Sequence, residues 1–366
     1  MYPSSRARAP SDSLHPDDPG IPQPEDVGHK SESLSCLWLT LTSLCKNLSL
    51  FESRMNRGEE LLLPVPEEHI RFRTNYANAA LALAHGDPGD DAHQDLVQAV
   101  AAEHVSAAEA VAVTCERFGL RLSTDPGPVV RCWEDYLIDG STALRSRLVD
   151  DDHPRGIEDP ELFRTVEQQL SRFRLVELAI DPVPAPLDYR FFKAVHRRIF
   201  QDVYTWAGEQ RVGPETAMVR FAPDAVNFAP GDPAAPAVKY QYFAGPDISE
   251  AIEMQFALLV DLAERRDMPR EEMISRMGEH GGEMNTIHAF RDGHSRTLFV
   301  YAMRFFDTVG YPTDPANFLK GNPLRDRIVH ARYQNQATSL LDGYEGTLDD
   351  ALSQGDGPQP ARVTSR

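Results

Sequence analysis

The sequence predicts an all-α fold with a small β-hairpin flap, preceded by a small three-helix module. Apolar residues recur at helical spacing from Asp159 to Val309, in runs bounded by capping residues and turn formers. The helical period disappears between Arg211 and Gly245, where the short β-prone pieces Met218–Phe221 and Tyr240–Phe243 suggest a hairpin. No period of about 20–50 residues repeats, which argues against a solenoid.

Residues 1–33 are rich in Pro, Ser and Asp and are expected to be disordered. The run Leu34–Phe51 is the membrane candidate, but it carries Lys46 and Asn47 and falls short of the roughly 20 apolar residues a spanning helix needs. The acidic, Pro-rich stretch ahead of it does not fit a signal peptide. Met55 stands just before the first well-patterned sequence, so residues 1–54 are expected to be an upstream extension, and residues 1–60 to lie outside the folded protein. The module of residues 61–125 holds three helical patterns. The first runs from Glu67 to Ala84 and is stopped by His85–Gly89; the second covers Ala92–Glu103. The third opens on Ser106-Ala107-Ala108-Glu109, a capping box, and ends near Phe118 and Gly119.

The turn-rich Asp125–Pro128 then leads into a main domain of residues 128–335. Asp159-Pro160-Glu161 starts a helix with the stripe Leu162, Val166, Leu170 and Phe173. Asp188 caps one with Phe192, Val195, Ile199 and Val203, and Ile248, Ile252, Phe256, Leu259 and Leu262 mark the next. Met268-Pro269-Arg270 starts a helix that runs to a loop at His288. Beyond the loop Phe299, Ala302, Phe306 and Val309 share a face, and Gly310 with Pro312 ends that helix. Residues 336–366 read as a C-terminal tail, polar and frayed after about Asp349.

A formal charge of -19 and a pI near 5.0 argue against nucleic acid or an anionic membrane as the main partner. Cys36, Cys45, Cys115 and Cys132 show no paired metal spacing and read as reduced thiols of a cytoplasmic protein.

The chemistry concentrates in the loop His288-Ala289-Phe290-Arg291-Asp292-Gly293-His294-Ser295-Arg296, which opens an apolar helix. In one short turn it carries an imidazole, a carboxylate, exposed N–H groups and a guanidinium. This order resembles the Fic family's His-x-Phe-x-(Asp/Glu)-Gly-Asn-Gly-Arg-x-x-Arg, departing from it at His294, Ser295 and Phe299. Residues 197–211, with Val203-Tyr204-Thr205-Trp206-Ala207-Gly208, resemble the segment that precedes the flap in many Fic domains. The stretches Asp135–Leu148 and Glu283–Ile287 are similar to the family's opening segment and to the helix end that feeds its loop. The likeness spans roughly residues 130–315. Residues 61–125 resemble the small three-helix antitoxin that holds some Fic toxins inactive, as a fused module.

The resemblance implies the Fic fold and a protein nucleotidyltransferase that moves AMP from ATP to a Ser, Thr or Tyr hydroxyl of a target protein. His288 would be the general base and Asp292 would hold Mg2+, while Phe290, Gly293, His294, Ser295 and Arg296 form the nucleotide-binding set. Each has a plainer alternative. His288 can be a structural helix-end His, Asp292 a helix N-terminal acid and Phe290 a core residue. Ser295 in place of Gly is expected to make a left-handed backbone harder there. Zinc on His288 and His294 is disfavoured for want of a third ligand. Tyr204 and Trp206 read as packing residues and Arg211 as a support for the flap, whose residues 215–222 would align the target by strand addition. In the family an inhibitory Glu pairs with the last loop Arg. Here that Arg is Phe299, and the inhibitor motif reads Leu83–Pro88 without its Ser or Glu, so both halves of the ionic lock are absent. The three departures also suit a catalytically impaired Fic-fold binding or regulatory protein, or an enzyme with a different phosphate-containing donor.

Overall fold

A computed structural model of the chain describes residues 64–213, 218–244, 248–265 and 268–352. The expectations for residues 1–60, for the run Leu34–Phe51 and for the end of the tail lie outside those residues.

The predicted caps start the predicted helices. After α1 (Glu67–Leu83) comes α2 (Asp91–Ala101), where Asp90 accepts the His93 N–H. Ser106 and Glu109 form the capping box of α3 (Ala107–Arg117). Residues Arg121–Leu122 (β1) pair antiparallel with Leu148–Val149 (β2), two strands too short for any alternation to reveal. Asp159 caps α4 (Pro160–Ile180), and Asp188 caps α5 (Tyr189–Phe200).

The hairpin forms where the helical period fails: β3 (Val219–Pro223) runs antiparallel to β4 (Ala237–Gln241). Its inner residues Ala222 and Tyr240 pack with Val329 and Tyr333, while Val219 and Phe221 stay exposed. Then follow α6 (Ile248–Glu264), α7 (Arg270–Ile287) and α8 (His294–Val309), which Gly310 ends at φ 87°. Residues 336–352, read as tail in the sequence, instead carry the end of α9 (Pro323–Thr338) and all of α10 (Asp342–Ala351). Tyr344, Leu348 and Ala351 of α10 are buried, which is why this polar segment holds a helix.

Helix α4 is buried along most of its length, because α1, α2 and α3 cover it on one side and α5 on another. The three N-terminal helices therefore share one apolar core with the rest: Tyr76, Val97, Val111, Phe173 and Phe192 belong to a single cluster. Polar residues of α4 are buried with it and must find partners. Arg172 donates to the Asp87 carbonyl at 2.6 Å and to that of Pro88, fixing the turn after α1. Arg325 of α9 holds the same helix end, donating to the Ala82 carbonyl at 2.7 and 3.0 Å. Among the described residues no helix is long and apolar enough to cross a membrane.

Candidate active site

Helix α7 ends on His288, whose backbone is left-handed at φ 50° and ψ 67°. An L-residue with a Cβ adopts that conformation at a cost, so neighbours must hold it there. Arg211 does so. Its Nε donates to the His288 carbonyl at 2.7 Å, and its Nη2 donates to the Ile287 carbonyl at 3.2 Å and that of Phe243 at 2.6 Å. The Arg211 N–H adds a bond to Ala289 O at 2.8 Å. One buried guanidinium thus closes the C-terminal end of α7, where positive charge is favoured, and ties it to the exit of the hairpin. The sequence reading gave Arg211 to the flap alone; the loop is its larger charge.

Arg211→Ala is expected to destabilise the fold by about 2–4 kcal/mol, because several carbonyls lose a charged donor at once. Denaturant unfolding checks this as a lower midpoint at unchanged slope.

The imidazole of His288 is buried against Tyr242, with ring centroids 4.1 Å apart, and against His294 at 4.4 Å. Its Nδ1 has no hydrogen-bond partner. Burial, then His294, Arg211, Arg220 and Arg332, hold its pKa well below the usual value, so the ring is a neutral proton acceptor at pH 7. Phe290 is fully buried and stacks on His196, with centroids 3.8 Å apart. It anchors the loop from the core. His196 is the anchor the sequence reading missed: Nε2 donates to the Asp292 carbonyl at 3.0 Å, and Nδ1 accepts the Gly208 N–H at 2.8 Å. Those two bonds fix one neutral tautomer. A polar residue four positions after Phe192, on an apolar stripe, was the signal available in the sequence.

Gly293 takes the left-handed turn at φ 77°, and a Cβ there would lie 2.2 Å from the Phe200 ring, so only glycine fits. Ser295 lies inside α8, so the anticipated left-handed strain does not arise. Helix α8 starts without a side-chain cap, which leaves its first N–H groups free to face an anion. The Asp292 side chain is 45% exposed, its Oδ1 accepting the Gly293 N–H at 2.5 Å. No group of three or more His, Cys, Asp or Glu able to hold a metal occurs among the described residues.

Two predicted ligand residues are turned inward. His294 is buried beside Phe192 and Phe290, and burial pushes its pKa down to about 3. The Arg296 guanidinium is buried as well: Nη1 lies 2.6 Å from Glu167 and donates to Ser171 Oγ at 2.9 Å, while Nη2 is 3.7 Å from Asp292. The phosphate clamp expected of Arg296 is therefore already occupied by a carboxylate of α4. Burial pushes the Glu167 carboxyl up to about 7, with Arg296 pulling the other way. Phe299 joins the core as its stripe suggested, and the ring of Tyr76 meets it edge-on at 5.2 Å. Phe299, at the position where the resemblance would have an Arg, thus makes an aromatic contact with α1. Tyr204 and Trp206 are buried and stack at 4.1 Å, which agrees with packing roles.

Comparison with protein-family models finds none that matches the chain. The chain is 28% identical over 159 residues to the protein adenylyltransferase VbhT of Bartonella schoenbuchensis, which is 43% of this chain and 29% of that protein. It is 28% identical over 132 residues to the probable protein adenylyltransferase y4lH of Sinorhizobium fredii, 35% of this chain and 57% of the other. The chain thus spans 29% and 57% of the length of these two curated relatives. The crystal structure of the Bartonella tribocorum BepC protein with bound AMPPNP aligns over 62% of this chain and 98% of its own, at 16% identity and a TM-score of 0.46. The chain shows a helical scaffold with one hairpin and a His–Phe–Asp–Gly–Arg loop between two helices. Over the stretch they share, it is similar to proteins named protein adenylyltransferase.

Proposed function

We propose that the protein is a Fic-type nucleotidyltransferase that moves AMP from ATP to a Ser, Thr or Tyr hydroxyl of a target protein. The observation that carries this reading is His288: a buried, neutral imidazole with an unpartnered Nδ1, beside a helix N-terminus with free N–H groups. The imidazole takes the hydroxyl proton as that oxygen bonds to the α-phosphorus. The bond from the α-phosphorus to the bridging oxygen breaks, and pyrophosphate leaves. The N–H groups of α8 face the charge that develops on the phosphate oxygens. A single half-exposed carboxylate suits Mg2+, which favours one or two protein oxygens with water and phosphate for the rest. Asp292 would hold that ion, which supplies charge neutralisation to the phosphates. The exposed edge residues Val219 and Phe221 of β3 fit a target segment laid alongside as a further strand; residues 215–217 of that flap lie outside the described residues.

Incubation of the purified protein with α-labelled ATP and magnesium, alone and with lysate, tests the reading beside His288→Ala. Label that depends on His288 supports it; no such label with any nucleotide donor sinks it. The second reading, a silent Fic-fold binding protein, is favoured by the Arg296–Glu167 contact. Calorimetry separates the two, because a silent module that binds no nucleotide shows no heat with ATP.

The fused helices α1 to α3 act in this scheme as a regulator of the site. Arg325 joins the end of α1 to α9, so Arg325→Ala is expected to loosen that contact and raise labelling several-fold. Unchanged labelling in a folded variant removes the regulatory role.

A further inference from the structure

The loop's own arginine is committed to Glu167, so the phosphates need another cation. Arg332 of α9 reaches the site from outside the loop: its Nη1 donates to Ser295 Oγ at 3.1 Å, in the first turn of α8. It is only 8% exposed, and its Nε has no hydrogen-bond partner. Among the described residues Arg332 forms no ion pair, whereas Arg296 lies against two carboxylates. Its guanidinium carbon also lies over the Tyr333 ring, 5.2 Å from the centroid. A buried positive charge with no counter-charge is costly, and an anion at the same place removes that cost. The guanidinium reaches the first turn of α8, which has no side-chain cap, and a helix N-terminus and a buried guanidinium both call for negative charge. The Arg332 charge also contributes, behind burial, to holding the His288 and His294 imidazoles below their usual pKa.

We propose that Arg332 is the phosphate-binding arginine of this site, reaching the outer phosphates of a nucleoside triphosphate from α9 where Phe299 offers no cation. Ser295 then has a purpose that glycine could not serve: its hydroxyl accepts from Arg332 and aims the guanidinium at the helix N-terminus. Two of the loop's three departures, Ser295 and Phe299, become parts of one rearrangement. This inference rests on the nucleotide reading of the loop.

Calorimetry with ATP, ADP and AMP on the wild type, Arg332→Gln and Arg332→Lys tests it. Arg332→Gln is expected to weaken ATP on the order of tenfold or more, and AMP by less than about twofold, since only the outer phosphates meet Arg332. Arg332→Lys should recover part of the ATP affinity, because it keeps the charge without the bidentate fork. If Arg332→Gln folds poorly, Arg332→Met serves: losing an uncompensated buried charge, it should raise the melting temperature of the ligand-free protein and shrink the further rise given by ATP. ATP bound equally well by the wild type and a folded Gln or Met variant overturns the role of Arg332 alone. Equal weakening of ATP and AMP does so too, since it marks a general loss of the pocket. A wild type that binds none of the three nucleotides overturns the nucleotide reading, and this inference with it.

Discussion

His288→Ala is expected to lower the rate of AMP transfer by about 10²–10⁴-fold, the usual range for losing a positioned general base. The substitution should leave the scaffold standing. Arg211 holds the His288 carbonyl and not its ring, and Phe290 and His196 anchor the loop independently. Melting temperature therefore separates lost chemistry from lost fold. The pH dependence gives a second check, with a sign fixed by the environment of the ring. Burial, His294, Arg211, Arg220 and Arg332 all lower its pKa, so protonation begins well below 6.5. The rate should then stay level between pH 8 and pH 6, with no acid limb at the value of an exposed histidine. A limb centred near 6.5 that vanishes in His288→Ala would mean that the ring is solvated in the working state. A labelling rate that His288→Ala leaves unchanged removes the imidazole from the mechanism altogether.

Local signals in the sequence located what local physics decides. Ser106, Asp159 and Asp188 cap helices because their side chains satisfy N–H groups within a few residues. The hairpin showed itself as a gap in helical period. The loop was legible as an order of residue types, and His288 and Asp292 lie in the turn between α7 and α8. The partners that decide what the loop can do were not legible. Glu167 and Ser171 come from α4, His196 from α5, Arg211 from the stretch before the hairpin and Arg332 from α9. Only tertiary packing brings them to one place, and no spacing encodes it. Glu167 and Ser171 fall on α4 among residues that a single-face helix would leave in water; α4 buries them because helices cover it on more than one side. The tail was misread for a related reason. Its residues are polar in sequence, and α10 gains its order from a few buried side chains packed on α7 and α9.

Arg296→Ala is expected to be the most destabilising single change in the site, at about 3–5 kcal/mol. It leaves the Glu167 carboxylate, 7% exposed, without the guanidinium 2.6 Å away, and Phe200 loses the cation over its ring. The cost should depend on pH, and the sign follows from Glu167. Burial raises its pKa to about 7, above the ordinary value of a carboxyl in the unfolded chain. A raised carboxyl favours folding below the unfolded pKa, and that contribution is lost as pH rises through the folded value. Without Arg296 the folded pKa climbs further, so the variant should lose more stability at pH 8 than at pH 5.5, where the buried group can keep its proton. Urea unfolding of the wild type, Arg296→Ala, Glu167→Gln and the double variant at both pH values measures this. If the contact is structural, the double variant costs less than the sum of the singles, with a coupling of about 1–3 kcal/mol. Additive effects, or equal losses at the two pH values, would show that Arg296 and Glu167 do not rely on each other in solution. The guanidinium would then be free to turn toward phosphate. That coupling therefore sets how strongly a ligand must pull before Arg296 can serve it, and whether Arg332 meets the phosphates first.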